Sequence, residues 1–139
     1  MKTLLIDDEP DILSGLKGAL CLKGYSSRIF TNPIKAIERF KSDNFDVVVT
    51  DLKMPKMGGI EALNAVRAQD PSINVIIITG FSEPNSIMEA ANKGAYAYFN
   101  KPIDIPFFLE TISWIERKLI SEPDKGFDII RLCLAYQDL

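Results

Sequence analysis

The sequence predicts an α/β fold in which helices cover both faces of a doubly wound parallel sheet. Short apolar runs alternate with amphipathic segments of helical spacing through residues 1–121. The central run, residues 45–50, is rich in valine, which is typical of a parallel strand buried on both faces. This regular alternation indicates five strands and five helices joined by right-handed crossovers.

The five apolar runs are interpreted as the strands of one sheet. The second run is the most polar, so we place it at an edge, and the flavodoxin-like strand order 2-1-3-4-5 follows. This order leaves a crevice between the carboxyl ends of strands 1 and 3, which is where open α/β sheets bind ligands. The strands are predicted over residues 2–7, 25–30, 45–50, 75–78 and 95–99.

Prolines and glycines predict where the helices begin and end. Proline is favoured in the first turn of a helix, and glycine is favoured just after the last turn. The expected capping residue is Asp8 or Glu9 for the first helix, and Ser82 or Glu83 for the fourth. Helix starts are predicted at or near Pro10, Pro33, Ile60, Pro84 and Pro106.

Length and composition indicate one ordinary domain rather than two. The chain has 139 residues, of which 47% are hydrophobic and 25% charged. We assign residues 1–121 to the domain and residues 122–139 to a C-terminal extension. The extension is too apolar for a free linker, so we expect a short helix that docks on its own domain, exchanges with a neighbour, or begins another module.

Charge and residue usage exclude several classes of function. A net charge of −3 provides no basic face, so we expect no direct binding of nucleic acid. The absence of histidine excludes Ser-His-Asp and Cys-His catalysis and imidazole metal sites. Cys21 and Cys133 lack metal-ligand spacing, and no apolar stretch has the length of a signal peptide or membrane span. We therefore expect a cytoplasmic protein with reduced thiols.

Polar residues stand where four of the predicted strands end. Asp7 and Asp8 follow strand 1, Asp51 follows strand 3, Thr79 follows strand 4, and Lys101 follows strand 5. Each residue alone is better explained as a turn or capping residue. Because the carboxyl ends of parallel strands meet at one edge of a sheet, the five side chains are expected to converge there.

Three converging carboxylates repel one another, and burial adds a desolvation cost. A divalent cation would offset that cost, and ligation by oxygen alone favours Mg²⁺. The Lys101 ammonium would lie opposite the acids, and the Thr79 hydroxyl would be a neutral donor beside them. These parts meet the needs of phosphoryl transfer, so Asp51 is predicted to be a nucleophile that accepts a phosphoryl group.

Five short motifs occur together in the order typical of a known family. They are Leu5-Ile6-Asp7-Asp8-Glu9-Pro10, Asp51-Leu52-Lys53-Met54-Pro55, Thr79-Gly80, Lys93-Gly94-Ala95 and Lys101-Pro102. Over about residues 1–120 the chain resembles the receiver (response regulator) domains of two-component signalling. The resemblance implies that Asp51 is phosphorylated by the phosphohistidine of a partner histidine kinase or phosphotransfer protein. It also implies a signalling switch that acts on a downstream target or output domain and is not a turnover enzyme.

The resemblance implies a set of Mg²⁺ ligands. Asp51 and the second acid of the pair, Asp8, would bind the ion, and Asp7 would act through water. The backbone carbonyl of Lys53 would complete the protein ligands. One departure lies close by, because Gly58 stands where many members of the family carry a small polar residue. This glycine is expected to loosen the start of the third helix.

Two residues are implied to transmit the change of state. Thr79 would shift to bond the phosphoryl group, and Phe99 would swing inward behind it. Since Phe99 lacks the hydroxyl of the tyrosine that is frequent in the family, its inward position would depend on apolar contacts alone. The resemblance further implies a cis Lys101-Pro102 bond. We also expect Phe81 to shield the acyl phosphate partly and to slow its hydrolysis.

Helix 4, strand 5 and helix 5 form the expected output surface. Helix 4 has few large apolar anchors and should move readily. An outer stripe on helix 5 would serve a partner or a homodimer, or would lie under the C-terminal extension. We assign Phe108, Leu109, Ile112, Ile115 and Leu119 to the core face of helix 5, and Phe107, Thr111, Trp114 and Lys118 to the outer stripe.

Several alternatives are weighed against this interpretation. A phosphatase with an aspartyl nucleophile usually has an acid two residues after it, where this chain has Lys53. A flavin module on the same fold would need a phosphate loop after strand 1, where Asp7, Asp8 and Glu9 would repel the phosphate. A receiver-like docking module that does not switch stays open, as does the choice between a stand-alone regulator and the excised N-terminal receiver of a larger transcriptional regulator.

Overall fold

The structure is a computed structural model that describes residues 1–80 and 84–121. Strands and helices alternate strictly in this part of the chain, as predicted. The strands are β1 (Lys2–Ile6), β2 (Ser26–Phe30), β3 (Val47–Asp51), β4 (Asn74–Thr79) and β5 (Ala97–Asn100). The helices are α1 (Pro10–Leu22), α2 (Pro33–Ser42), α3 (Gly59–Gln69), α4 (Pro84–Asn92) and α5 (Ile105–Ser121).

The five strands form one parallel sheet in the order β2-β1-β3-β4-β5. The predicted strand order is therefore confirmed, and the polar strand β2 lies at an edge. Strand boundaries differ from the predicted ones by one or two residues: β2, β3 and β5 begin later than predicted, whereas β3, β4 and β5 extend past the ends of their apolar runs. Asp51 and Asn100, for example, are the last residues of their strands.

The sheet separates two hydrophobic cores, one under each layer of helices. Every residue of β3 and β4 is buried, as expected for central strands covered on both faces. One core, against α2 and α3, contains Leu63 and Tyr98, and the other, against α1 and α5, contains Leu16 and Phe108. Burial of these two cores holds both helical layers on the sheet.

Side chains cap two of the helices as their sequence suggests. The side-chain oxygen Oδ1 of Asn32 accepts the backbone N–H groups of Ile34 and Lys35 at the start of α2. At the start of α5, Asp104 Oδ1 accepts the N–H of Phe107 at 3.0 Å. Helix α1 begins differently, because its capping residue Glu9 makes no side-chain bond to the helix. The proposed caps of α4, residues 82 and 83, lie outside the described residues.

The assignment of faces on α5 was wrong at three positions. Phe107 and Thr111, placed on the outer stripe, are buried at 7% and 0% exposure, whereas Leu119, placed inward, is 37% exposed. Phe107 is buried because its ring packs 5.5 Å from the ring of Phe99 on β5. Burial of Thr111 is tolerated because its hydroxyl donates to the Phe107 carbonyl at 2.9 Å. Within the outer stripe, Trp114 is half-buried.

Helix α4 is short and weakly anchored, as expected. Ala90 is its only residue that is fully buried, and Met88 is 58% exposed. Among the described residues, no helix is long and apolar enough to cross a membrane. The C-terminal extension, residues 122–139, and the proposed shield Phe81 lie outside the described residues, so both expectations stay predictions.

Candidate functional site

The carboxyl ends of β1 and β3 bring three acids together. Asp7 and Asp8 follow the last residue of β1, and Asp51 ends β3. The two strands are adjacent and parallel, with Ile6 beside Thr50, so Asp7 comes to lie next to Asp51. A carboxylate oxygen of each acid lies within 4.8 Å of the other two. The predicted convergence of the three acids is therefore present, with Asp7 and Asp51 buried and Asp8 exposed.

Lys101, which directly follows β5, completes the cluster at the same edge of the sheet. Its Nζ lies 2.9 Å from Asp7 Oδ2, 3.0 Å from Asp51 Oδ2 and 3.4 Å from Glu9 Oε2. Its backbone N–H donates to the Thr79 carbonyl at 2.8 Å, which fixes the residue beside the end of β4. The Lys101-Pro102 bond is cis, as the resemblance implied.

The Asp51 carboxylate is held from two sides. Its Oδ2 accepts the Lys101 ammonium at 3.0 Å, and its Oδ1 accepts the backbone N–H of Lys53 at 3.3 Å. The side chain is only 7% exposed. Two fixed donors and this burial orient the carboxylate before any ligand arrives, which is the preorganisation that a nucleophile needs.

Gly59 lies directly against the backbone that carries Asp51. Its N–H donates to the Leu52 carbonyl at 2.8 Å. A Cβ at position 59 would lie 2.7 Å from Leu52 Cα and would also overlap the Asp51 carbonyl oxygen, so a larger residue would displace this backbone. At Gly58 the nearest atom to such a Cβ is 3.5 Å away, an ordinary contact. The close approach of α3 to the end of β3 therefore depends on Gly59.

Burial and charge shift the ionisation of two residues in the cluster. Burial raises the pKa of Asp7 above its ordinary value of 3.8, with a further rise from the nearby Asp51 charge, although Lys101 and the Glu9 N–H act against it. Burial acts to lower the pKa of Lys101, but its bonds to Asp7 and Asp51 outweigh that effect and raise the pKa above its ordinary value. The ammonium is therefore charged whenever the acids are.

The acid cluster has the ligand chemistry of a hard divalent cation. All of its side-chain donors are carboxylate oxygens, which suit Mg²⁺ better than a softer metal. Asp7 Oδ2 is buried and lies 2.9 Å from the Lys101 ammonium. Because each carboxylate oxygen can accept at two lone pairs, one ammonium partner leaves this oxygen able to bind a cation as well. The residues present therefore fit a bound Mg²⁺.

The other residues predicted for the site have distinct positions. Thr79 is buried at the end of β4, one strand from Asp51, and pairs in register with Asn100 of β5. Lys53 is in the loop after β3, with an exposed side chain and its N–H on Asp51. Its backbone carbonyl as a metal ligand stays a prediction.

Phe99 is 2% exposed and faces the core that α5 covers. Its ring lies 5.5 Å from the ring of Phe107 and 5.8 Å from that of Phe108. The structure therefore places Phe99 inward, among apolar aromatic contacts. Its movement between two states stays a prediction.

Glu9 is a member of the cluster that the sequence interpretation did not assign to the site. It follows the two acids of the Asp7-Asp8 pair, and its carboxylate bonds Lys101 instead of its own helix. The side chain is 60% exposed, so it lies at the mouth of the site. The sequence could have indicated this position, because Glu9 directly follows the acidic pair and so lies at the same strand end.

A comparison with protein families matches residues 3–113 to the response regulator receiver domain. This chain belongs to that family. The receiver domain accounts for the alternating elements, the strand order and the acids at the carboxyl edge, all of which were predicted. Two-component signalling is therefore the setting of this domain.

Curated relatives of this receiver domain include both short and long proteins. The regulatory protein AtoC of Escherichia coli is 34% identical over 104 residues, which are 75% of this chain and 23% of AtoC. The sporulation initiation phosphotransferase F of Bacillus subtilis is 35% identical over 104 residues, and 84% of its length is covered. The chain thus spans about a quarter of the first curated relatives it matches, and most of the shorter one.

Solved receiver structures superpose closely on this one. The beryllofluoride-activated receiver domain dimer of NtrC4 is 31% identical, with a TM-score of 0.80 over 84% of this chain and 97% of that one. The response regulator TrrA of Thermotoga maritima, solved in complex with Mg²⁺ and BeF, is 28% identical, with a TM-score of 0.74 over 82% of this chain and 97% of that one.

Proposed function

We propose that this receiver domain is a phosphorylation-dependent switch in which Asp51 accepts a phosphoryl group. The observation that carries the proposal is the position of the Asp51 carboxylate. It lies 3.0 Å from the Lys101 ammonium, and carboxylate oxygens of Asp7, Asp8 and Asp51 lie within 4.8 Å of one another. Phosphoryl transfer needs an oriented nucleophile and positive charge around the transferred group, and this arrangement supplies both.

The phosphoryl donor is a phosphohistidine of a histidine kinase or phosphotransfer protein, in keeping with membership of the receiver family, and no histidine of this sequence can supply it. An Asp51 carboxylate oxygen attacks phosphorus as the P–N bond breaks. The electron pair of that bond leaves with the imidazole, which takes one proton from solvent. Asp51 then carries an acyl phosphate, and attack of water on phosphorus releases inorganic phosphate and restores the carboxylate.

Each residue of the cluster contributes separately to this transfer. Lys101 provides a cation on one side of the nucleophile, and Thr79 provides a hydroxyl near the phosphoryl group. We assign Mg²⁺ to Asp7, Asp8, Asp51 and the Lys53 carbonyl. When bound there, Mg²⁺ supplies the positive charge that offsets the carboxylates and the incoming phosphoryl oxygens.

The output of the switch is proposed for the face made by α4, β5 and α5. Helix α4 has a single fully buried residue, Ala90, so its displacement disturbs little packing. The partner is a downstream protein, an output domain of a longer chain, or a second copy of the domain. Support for a longer chain comes from the relatives of which this chain covers about a quarter. We expect the domain to act in the cytoplasm and not to turn over a substrate.

A receiver-like docking module that is never phosphorylated is the second candidate. The two candidates differ in one measurement, which is the intact mass after incubation with Mg²⁺ and acetyl phosphate. A switch gains the mass of one phosphoryl group, and the Asp51→Asn variant does not. An unchanged mass of the wild-type domain, in conditions that label another receiver domain, would favour the docking module.

A further inference from the structure

Lys101 is surrounded by three carboxylates that are not equivalent. Asp7 and Asp51 are buried, with side-chain exposures of 0% and 7%, and lie 2.9 and 3.0 Å from the ammonium. Glu9 lies at 3.4 Å, and its side chain is 60% exposed. The two buried acids are fixed by the ends of their strands, whereas the Glu9 carboxylate reaches Lys101 from the solvent side.

The three N–H donors of an ammonium limit how many acceptors it can serve. Lys101 donates to Asp51 and to Glu9 and lies against Asp7, so a phosphoryl oxygen can approach it only if one acid withdraws. Glu9 has the longest and most exposed of the three contacts, and exposed ion pairs are weakly held. Its withdrawal therefore requires the least change in the structure.

We propose that Glu9 is a positioning residue that occupies, on Lys101, the place of the incoming phosphoryl oxygen. The inference rests on the proposed function and extends it, because it assigns a regulatory role to a residue outside the predicted ligands and nucleophile. Glu9 restrains phosphorylation in two ways. It competes for the Lys101 ammonium, and it adds a negative charge at the mouth that every anionic phosphodonor must pass.

Glu9 is well suited to a test by substitution, because its side chain has no role in the helix that it precedes. Helix α1 receives no side-chain cap from it, and the backbone N–H of Glu9 is bonded by Asp7 Oδ1 at 2.9 Å. The variant Glu9→Gln keeps the size of the side chain and removes its charge. The matched control is Asp11→Asn, which removes an exposed acid from the first turn of the same helix.

The experiment measures phosphorylation by acetyl phosphate and, separately, the affinity for beryllofluoride in the presence of Mg²⁺. In Glu9→Gln we expect both the rate and the affinity to rise by about fivefold at low ionic strength, since one charge near the reacting group is removed. The gain should shrink in about 0.5 M salt, because salt screens the effect of the removed charge. The gain that remains would be due to reduced competition for Lys101. Asp11→Asn should change both quantities by less than about twofold.

Each outcome decides between the alternatives. Equal rates and equal affinities in wild type and Glu9→Gln would overturn the role of Glu9 while leaving the proposed function intact. An equal gain in Asp11→Asn would also overturn it, because the effect would then be one of net charge. A wild-type domain that neither gains a phosphoryl group nor binds beryllofluoride would reject the proposed function and this inference together.

Discussion

The Lys101 ammonium lies 3.0 Å from Oδ2 of Asp51, although the two residues are 50 positions apart in the sequence. Asp51 ends β3, and Lys101 follows β5, the second strand along from it in the sheet. The long lysine side chain spans the intervening end of β4. The parallel sheet therefore converts sequence positions at strand ends into one compact cluster of charge.

Replacing the cation of this pair should impair phosphorylation while the domain still binds Mg²⁺. The variant Lys101→Gln keeps a polar side chain but removes the positive charge beside Asp51. We expect the rate of phosphorylation by acetyl phosphate to fall by about a hundredfold, the lower end of the range seen when a stabilising donor is removed from an active site. Intact-mass time courses measure this rate. A rate within twofold of wild type would show that Lys101 is not needed for transfer.

The raised pKa of Asp7 has a consequence for stability. A carboxyl whose pKa is higher in the folded than in the unfolded state stabilises the fold below its ordinary value of 3.8, and this contribution is lost as pH rises through the folded-state value. At neutral pH the buried Asp7 charge therefore destabilises the domain. In metal-free buffer, Asp7→Asn should be more stable than wild type at pH 7, and the difference should shrink toward pH 4.

Denaturant unfolding of both proteins with a chelator present measures the effect of Asp7. Added Mg²⁺ should stabilise wild type more than Asp7→Asn and so reduce the difference, because a ligand stabilises the state that binds it. The control is Asp11→Asn, an exposed acid on α1. A wild-type domain that is more stable than Asp7→Asn at pH 7 without metal would contradict this account of burial.

Adjacent glycines at the start of α3 should respond oppositely to the same substitution. Gly59→Ser should destabilise the domain by about 2 kcal/mol, because its Cβ would overlap the backbone of Asp51 and Leu52. Gly58 has an extended backbone and caps α3 without a side-chain bond. Gly58→Ser should therefore stabilise the domain by roughly 0.5 kcal/mol through a new capping bond. Thermal and urea unfolding measure both, and similar effects at the two positions would refute the packing argument.

Trp114 should report on the state of the switch. It is the chain's only tryptophan. The centroids of the Trp114 and Phe107 rings are 6.4 Å apart in an edge-to-face arrangement, and those of Phe107 and Phe99 are 5.5 Å apart. A change at Phe99 therefore reaches Trp114 through one intervening ring. Mg²⁺ with beryllofluoride should change the Trp114 emission in wild type but not in Asp51→Asn. Identical emission spectra at saturation would show that this aromatic path does not respond to the site.

The fold could be predicted because its signals are local and repeated. Each strand is a short apolar run, each crossover has helical spacing, and the polar second run identifies the edge strand. The convergence of Asp7, Asp51 and Lys101 followed from topology alone, since all parallel strands deliver their ends to one edge. Neither inference required knowledge of any particular side-chain contact.

Features that depend on side-chain packing could not be predicted from the sequence. Helical spacing on α5 indicated an apolar face but not its width, so the burial of Phe107 against Phe99 was missed. Arg67 of α3, which donates to the carbonyls of Pro71 and Gly94, ties together turns that are distant in sequence. Nothing in the sequence around Arg67 distinguishes it from an ordinary surface arginine. Glu9 was missed because its role depends on where the Lys101 side chain ends.

The central claim is that Asp51, and no other acid of the cluster, receives the phosphoryl group. The most direct test labels the domain with acetyl phosphate and Mg²⁺, reduces the acyl phosphate with borohydride to an alcohol, and locates the altered residue by peptide mass spectrometry. We predict reduction at position 51 alone. Reduction at Asp7 or Asp8, or none in a domain that has gained the mass of a phosphoryl group, would contradict it.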